Sequence, residues 1–435
     1  MGNSSAPLTE RRYVVPLILV TSLFFLWALG VNLNDILIPH LKKAFSLTDF
    51  QSSLIQSAFF GGYFLAALPA GWLMERVGYK KGILIGLVIC AAGASLFIPA
   101  SYIRIYGFFL FALFVMACGQ SFLEVAANPY VTILGPPQSS ERRLNTAQSF
   151  NAVGAVVTPF IGARFILSGI EHTSAESAAM SPGQMRAYRA YEASMVRVPY
   201  LVIAGIFLAV AILIYFSNLP EVPAVGTNIG TAETEVRLRD LRAFPHLVKG
   251  VIAQFLYVGA QVGVASFVIR FAEHMISDTH EKNAAHYLQM HLIGFMIGRF
   301  AGSAIMKKVP APRLLSLFAA GSLICLSVAL FAMGSVPVWA IVLVGFFHSI
   351  MFPTIFALSL KNLGPYTKLG SSLQVMAIIG GAICPAVMGI ISDATNIQKA
   401  FIVPLLCHAY VLYFALAGYK PAVPIGLGKV GVSAA

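Results

Sequence analysis

The sequence predicts an all-α membrane protein with twelve transmembrane helices arranged in two six-helix bundles. Three observations carry that prediction. The 435 residues are 58% hydrophobic and 11% charged, with mean hydropathy +0.80, whereas soluble domains carry about 25% charged residues. Apolar runs of about 20 residues, the length that crosses a bilayer, recur along the whole chain. The two halves also echo each other at an offset of roughly 225 residues, the mark of an internal repeat.

The runs fall at 13–40, 52–74, 82–100, 105–133, 145–169 and 198–218, then at 248–273, 285–306, 314–333, 337–360, 370–392 and 400–418. Arg11 and Arg12 precede the first run without a cleavage pattern, so it reads as a retained helix and not as a signal peptide. Between the sixth and seventh runs lies a polar stretch with Pro220, Pro223, Gly226 and Gly230. Such punctuation marks a linker. The expected division is an N-terminal bundle over 1–218, a cytoplasmic linker over 219–247 and a C-terminal bundle over 248–435.

Net charge is +12, and the loops explain it without nucleic acid as a partner. With the N-terminus inside, inner loops receive 18 Lys and Arg and outer loops 8. The positive-inside rule therefore places both termini in the cytoplasm. The same orientation keeps Asn3-Ser4-Ser5, a glycosylation triplet, away from the glycosylating compartment. The five cysteines (Cys90, Cys118, Cys325, Cys384, Cys407) all sit in apolar runs, without metal-ligand spacing, and read as small buried hydrophobes. His274, His280, His286 and His291 fall in or near an outer loop and read as a solvated face, not a metal site. With no phosphate-binding glycine loop and no loop grouping of Ser, His and Asp, the sequence points to neither an enzyme nor a cofactor.

Two of the seventeen acids, Asp35 and Glu124, fall well inside apolar runs. An ionised side chain in hydrocarbon costs about 3 kcal/mol or more, so each needs a water-filled cavity, a partner or a proton. Asn32 and Asp35 are spaced i,i+3, Glu124 and Asn128 i,i+4, and Gln148 and Asn151 i,i+3, so each pair shares a helix face. Run 7 adds Gln254, Tyr257 and Gln261 on one face. Converging amides and carboxylates offer the donors and acceptors that sugar hydroxyls need, and desolvation favours the proton-bearing form of a carboxyl group. Interhelical hydrogen bonding is the competing role for the amides. His348 stands in the second half where Glu124 stands in the first, either as a satisfied buried histidine or as a proton relay. Arg299, near the inner end of run 8, reads as a snorkelling or paired cation.

Gly71-Trp72-Leu73-Met74-Glu75-Arg76-Val77-Gly78-Tyr79-Lys80-Lys81 resembles the loop signature of the major facilitator superfamily, with Glu75 where Asp is usual. The resemblance implies a conformational-switch loop in which Gly71, Glu75, Arg76, Gly78 and Lys80 act. The equivalent second-half loop around Lys307 and Lys308 is degraded. Asn32-Leu33-Asn34-Asp35, Phe122-Leu123-Glu124-Val125-Ala126-Ala127-Asn128-Pro129, Leu144-Asn145-Thr146-Ala147-Gln148-Ser149-Phe150-Asn151 and Pro353-Thr354-Ile355-Phe356 together resemble the fucose:proton symporter branch of that superfamily.

That resemblance implies alternating access around a midplane site, with Asp35 and Glu124 coupling protons and contacting sugar. Asn32, Asn128, Gln148, Asn151, Gln254, Tyr257, Gln261 and His348 complete the expected hexose site. It also implies import of L-fucose or a related hexose across the lipid bilayer of a bacterial inner membrane, and a monomer is enough for this architecture. A glucose/galactose or N-acetylglucosamine carrier, uncoupled or sodium-coupled, is the alternative. Ala265 and Phe352 replace an aromatic residue and a Tyr of the fucose permease pattern and leave the sugar open.

Overall fold

The computed structural model describes residues 7–45, 47, 49–165, 180–220, 238–276 and 281–421. Among these, all regular structure is helical. The helices are α1 (Val14–Phe45), α2 (Asp49–Ile103), α3 (Tyr106–Ile133), α4 (Ser140–Phe165), α5 (Pro182–Ser194), α6 (Arg197–Phe216) and α7 (Pro245–Met275). They continue as α8 (Glu281–Ile305), α9 (Ala311–Phe331), α10 (Val336–His348), α11 (Met351–Ser359), α12 (Thr367–Met376), α13 (Gly380–Ala394) and α14 (Ile402–Tyr413).

Twelve passes follow from these helices. Among the described residues, nine stretches are long and apolar enough to cross a membrane, one of them 50 residues long. At about 1.5 Å per residue that stretch is more than twice the thickness of a bilayer core. It is two crossings, turned at Gly78 (φ 81°, ψ 175°), a conformation that glycine adopts without a Cβ clash. The span of α10 and α11 is interrupted at Ser349 and Ile350, and that of α12 and α13 at a 3-10 turn over Ala377–Ile379. The last two passes, α4 and α8, are too polar to qualify by hydropathy. They pack against each other across the two halves, so their polar residues are turned inward and away from lipid.

The faces left exposed are apolar instead, such as Leu201, Val202, Leu208 and Ile212 of α6, and Leu317 and Ile324 of α9. Inside each half, small residues let backbones touch: a Cβ on Gly119 of α3 would lie 2.5 Å from the Cys90 nitrogen of α2. Such close approach drives helix association where lipid is as apolar as leucine. The connection between the fifth and sixth passes contains α5, started by a capping box in which Ser181 and Gln184 bond each other's backbone.

The halves meet along α2, α3 and α4 on one side and α8, α11, α12 and α13 on the other. One set of polar ties between them lies at the end that carries the basic loops. Lys361 Nζ lies 3.2 Å from Glu141 Oε1, Lys368 Nζ donates to the Met74 carbonyl at 2.9 Å, and Asn145 Nδ2 donates to Thr354 Oγ1 at 3.1 Å. Arg143, fully buried, gathers the carbonyls of Val131, Thr132 and Leu8 and so pins the segment before α1 to this end. The greater part of the expected linker lies outside the described residues.

Candidate functional site

Glu124 sits mid-way along α3, 5% exposed. Its neighbours are Tyr63 of α2, Asn128 one turn on, and the guanidinium of Arg299 from α8. Tyr63 also reaches Gln120, one turn before Glu124, at 3.4 Å. From Asn128 the contacts run across the molecule. Gln148 Nε2 of α4 donates to Asn128 Oδ1 at 3.1 Å. Arg299 Nη1 donates to Gln148 Oε1 at 2.8 Å and to the Gln148 carbonyl, while its Nε donates to the Ser349 carbonyl at 3.0 Å.

Ser349 lies in the break between α10 and α11, where backbone carbonyls lack their usual helical partners. There Tyr257 of α7 donates its hydroxyl to the His348 carbonyl at 2.7 Å. A buried polar path therefore joins α3, α4, α8, the interrupted span and α7. Phe295 lies beneath the Arg299 guanidinium, 4.5 Å from its ring centroid, which offsets part of the cost of burying the charge.

The structure brings Glu124, Asn128, Gln148, Tyr257 and His348 together and treats the other expected contacts differently. Asn32 Nδ2 bonds the Ala28 carbonyl of its own helix at 2.7 Å. Asn151 Nδ2 bonds the Phe24 carbonyl of α1 at 3.1 Å and ties two helices together. Gln254 is fully buried and Gln261 half-buried on the α7 face they share. Asp35 lies on α1, and its side chain falls outside the described residues. In the expected switch loop, a Cβ on Gly71 would collide with Ser372 Oγ of the opposite half, at 2.1 Å. Lys80 caps the end of α6 through the Tyr215 and Ser217 carbonyls, and Arg76 is exposed.

Of the two roles read for Arg299, pairing holds and snorkelling does not: it is 4% exposed and bridges the halves. The signal for this is the stripe Gly294, Gly298, Gly302, which marks α8 as pressed against neighbours; a Cβ on Gly298 would lie 2.5 Å from the Phe346 carbonyl. His291 is not on a solvated face. It is 2% exposed, bonds the Ile341 carbonyl at 2.9 Å and packs its ring 6.0 Å from that of His348. His348 is buried but not satisfied, since neither ring nitrogen has a partner, and its ring stacks on His408 at 4.8 Å.

Residues 20–370 match the model of the family described as Major Facilitator Superfamily. The chain belongs to that superfamily. It is 43% identical over 409 residues to the L-fucose-proton symporter of Escherichia coli K12, covering 93% of both proteins. It is 41% identical over 418 residues to a glucose/galactose transporter of Brucella abortus biovar 1, covering 95% of this chain and 96% of that one. A crystal structure of the E. coli fucose:proton symporter superposes with a TM-score of 0.86 over 93% of this chain and 98% of that chain. One of that superfamily transporter in the outward conformation gives 0.85, at 44% identity and over 93% and 99% of the two chains. These relatives of the superfamily member described here are transporters.

Proposed function

We propose that this chain is a proton-coupled sugar symporter that imports L-fucose or a related hexose by alternating access. The carrying observation is the buried carboxylate of Glu124 at the head of a polar path through Asn128, Gln148 and Arg299 into the opposite half. A proton on that carboxyl changes the charge beside Arg299. Such a change biases a contact between halves and so links protonation to rocking. Asp35 is the second proton station by its place on α1, three residues from Asn32. Asn128, Gln148, Gln254, Tyr257 and His348 offer the donors and acceptors that orient a hexose. Asn32, Asn151 and Gln261 complete the cavity when the halves part.

The moving bodies are the bundles over 1–218 and 248–435, joined by the linker 219–247. Both termini lie in the cytoplasm, and the membrane is the bacterial inner membrane. A monomer suffices. With the basic loops inside, the seal at Glu141, Lys361, Lys368 and Asn145 closes the inner end, as an outward-facing carrier requires. The solved relative in the outward conformation supports the same state.

Glucose or galactose is the second reading, and it rests on the Brucella relative, whose identity is close to that of the fucose symporter. Ala265 and Phe352 remove a stacking ring and a hydroxyl from the fucose permease pattern, in keeping with a different sugar. Radiolabelled uptake into proteoliposomes tests both parts. Uptake should rise under an inward proton gradient and collapse with a protonophore. A sodium requirement with indifference to pH defeats the proton assignment. Competition by fucose, galactose, glucose, mannose and N-acetylglucosamine ranks the sugars.

A further inference from the structure

The buried carboxamides differ in what they already hold: Gln120 and Asn128 each pair their oxygen and leave their nitrogen unpaired. In the first half, Asn32, Asn145, Gln148 and Asn151 each donate to a carbonyl, a hydroxyl or another amide. In the second, Gln254 of α7 and Gln374 of α12 are fully buried, and neither the oxygen nor the nitrogen of either has a partner. No other carboxamide among the described residues has both atoms buried and unpaired. His348 shares the pattern, with both ring nitrogens unpaired at full burial.

Position places these groups at the meeting of the halves. Ser371, three residues before Gln374 on the same face of α12, donates to the Val125 carbonyl of α3 at 2.9 Å, next to Glu124. A Cβ on Gly250 would lie 3.2 Å from Gln374 Nε2. The Gln374 amide therefore rests against α7 one turn from Gln254, and Tyr257, one turn further, holds the His348 carbonyl. A buried amide without a partner destabilises its fold. An amide serving only to glue helices would have found a partner. A carboxamide that presents donor and acceptor side by side matches adjacent hydroxyls of a pyranose.

We propose that Gln374, with Gln254 and His348, forms a hydroxyl-reading subsite in the second half, and that Gln374 determines sugar specificity. This deepens the symporter reading and rests on it. The test uses the purified full-length carrier and Gln374→Met, which keeps the length of the side chain without its polar atoms. Counterflow of radiolabelled L-fucose and D-glucose is competed with monodeoxy analogues of each, and melting is followed without sugar.

The expected result has three parts. Half-saturation for the transported sugar rises about tenfold or more in the variant. One monodeoxy analogue, weak against the wild type, competes equally well in both proteins. The sugar-free variant melts at the same temperature as the wild type or above it, because an unpaired amide has been removed. Wild-type uptake with an unchanged half-saturation in Gln374→Met overturns the subsite alone. So does a melting temperature below the wild type, which marks a structural amide. A wild type that takes up none of fucose, galactose, glucose, mannose and N-acetylglucosamine overturns the symporter reading and the subsite with it.

Discussion

Arg299 of α8 donates to the side chain of Gln148 of α4 at 2.8 Å, and this bond joins the two halves of the molecule at their buried centre. Both residues are nearly inaccessible, 4% and 2% exposed. A guanidinium keeps its proton at any relevant pH, so this centre always carries one positive charge. Whether that charge is matched depends on Glu124, the acid beside it. In the proposed symport cycle the pair would serve as a sensor built from one fixed and one titratable group, with Gln148 passing its state across the interface.

Arg299→Lys keeps the charge but loses the fork that grips Gln148 and the Ser349 carbonyl together. One charge-assisted hydrogen bond is worth about 1.5–3 kcal/mol, so the sealed end should open in a larger share of molecules, by roughly tenfold or more. Spin labels on Gln138→Cys and Arg313→Cys, in a background without the five native cysteines, report that distance. The variant should show a longer component. Identical distance distributions would mean that the bridge does not hold the halves.

Glu141 and Lys361 make the corresponding contact at the sealed end, 3.2 Å apart, with side chains 9% and 45% exposed. Water at the lysine end brings such a pair down toward the roughly 1 kcal/mol of exposed pairs, so Lys361→Ala alone should move the same labels less than Arg299→Lys does. Glu141→Lys replaces attraction with repulsion and should open the end further. The swapped pair, Glu141→Lys with Lys361→Glu, should return the distribution toward the wild type. Failure of the swap to recover would place the effect of Glu141 elsewhere, for instance in its bond with Ser140.

The twelve passes were legible because apolar runs of bilayer length are their own signal, and the boundaries differ from the helices by a few residues. The Glu124, Asn128 and Gln148 cluster was legible because i,i+4 spacing fixes a shared face and a charge in an apolar run needs a reason. Arg299 was legible only in part, because snorkelling and pairing were both open to it. A linear sequence places it near a span end, where arginines reach for water, and only packing of α8 on α4 turns it inward. Gln374 was hidden for a related reason: a single amide early in an apolar run carries no periodicity, and its lack of a partner is a property of the fold. Asn32 and Asn151 had two roles open in the sequence. Asn151 ties two helices through the Phe24 carbonyl of α1, whereas Asn32 bonds the Ala28 carbonyl of its own helix and ties none.

Gly78 offers a test of the loop between the two crossings of α2. Its backbone (φ 81°, ψ 175°) lies in a region that is essentially closed to residues with a Cβ. Gly78→Ala should therefore cost about 1–3 kcal/mol and lower the melting temperature. Gly107→Ala, where an added Cβ meets nothing within 4 Å, should be near neutral. Equal melting of both variants would show that the turn at Gly78 relaxes freely.

The sharpest test concerns the acids themselves. Glu124→Gln keeps the shape of the side chain and its ability to bond Tyr63 and Asn128, but it cannot exchange a proton. The positive charge of Arg299 is then unmatched throughout the cycle, as it is in the wild type whenever Glu124 is protonated. The halves can still rock with sugar bound, so exchange of labelled for unlabelled sugar should persist. Concentrative uptake should not. A one-to-one symporter accumulates sugar by about tenfold per unit of pH gradient, and the variant should fall to a ratio of about one. Asp35→Asn should do the same if α1 carries the second station, and Asp35→Asn with Glu124→Gln should add nothing further. If either single variant still concentrates sugar at the wild-type ratio, the proton travels by a route that excludes that residue. If exchange is lost together with uphill uptake while folding is retained, the carboxylate belongs to sugar binding, not to coupling. The two activities measured side by side thus separate the roles that the position of Glu124, between a guanidinium and a row of amides, allows.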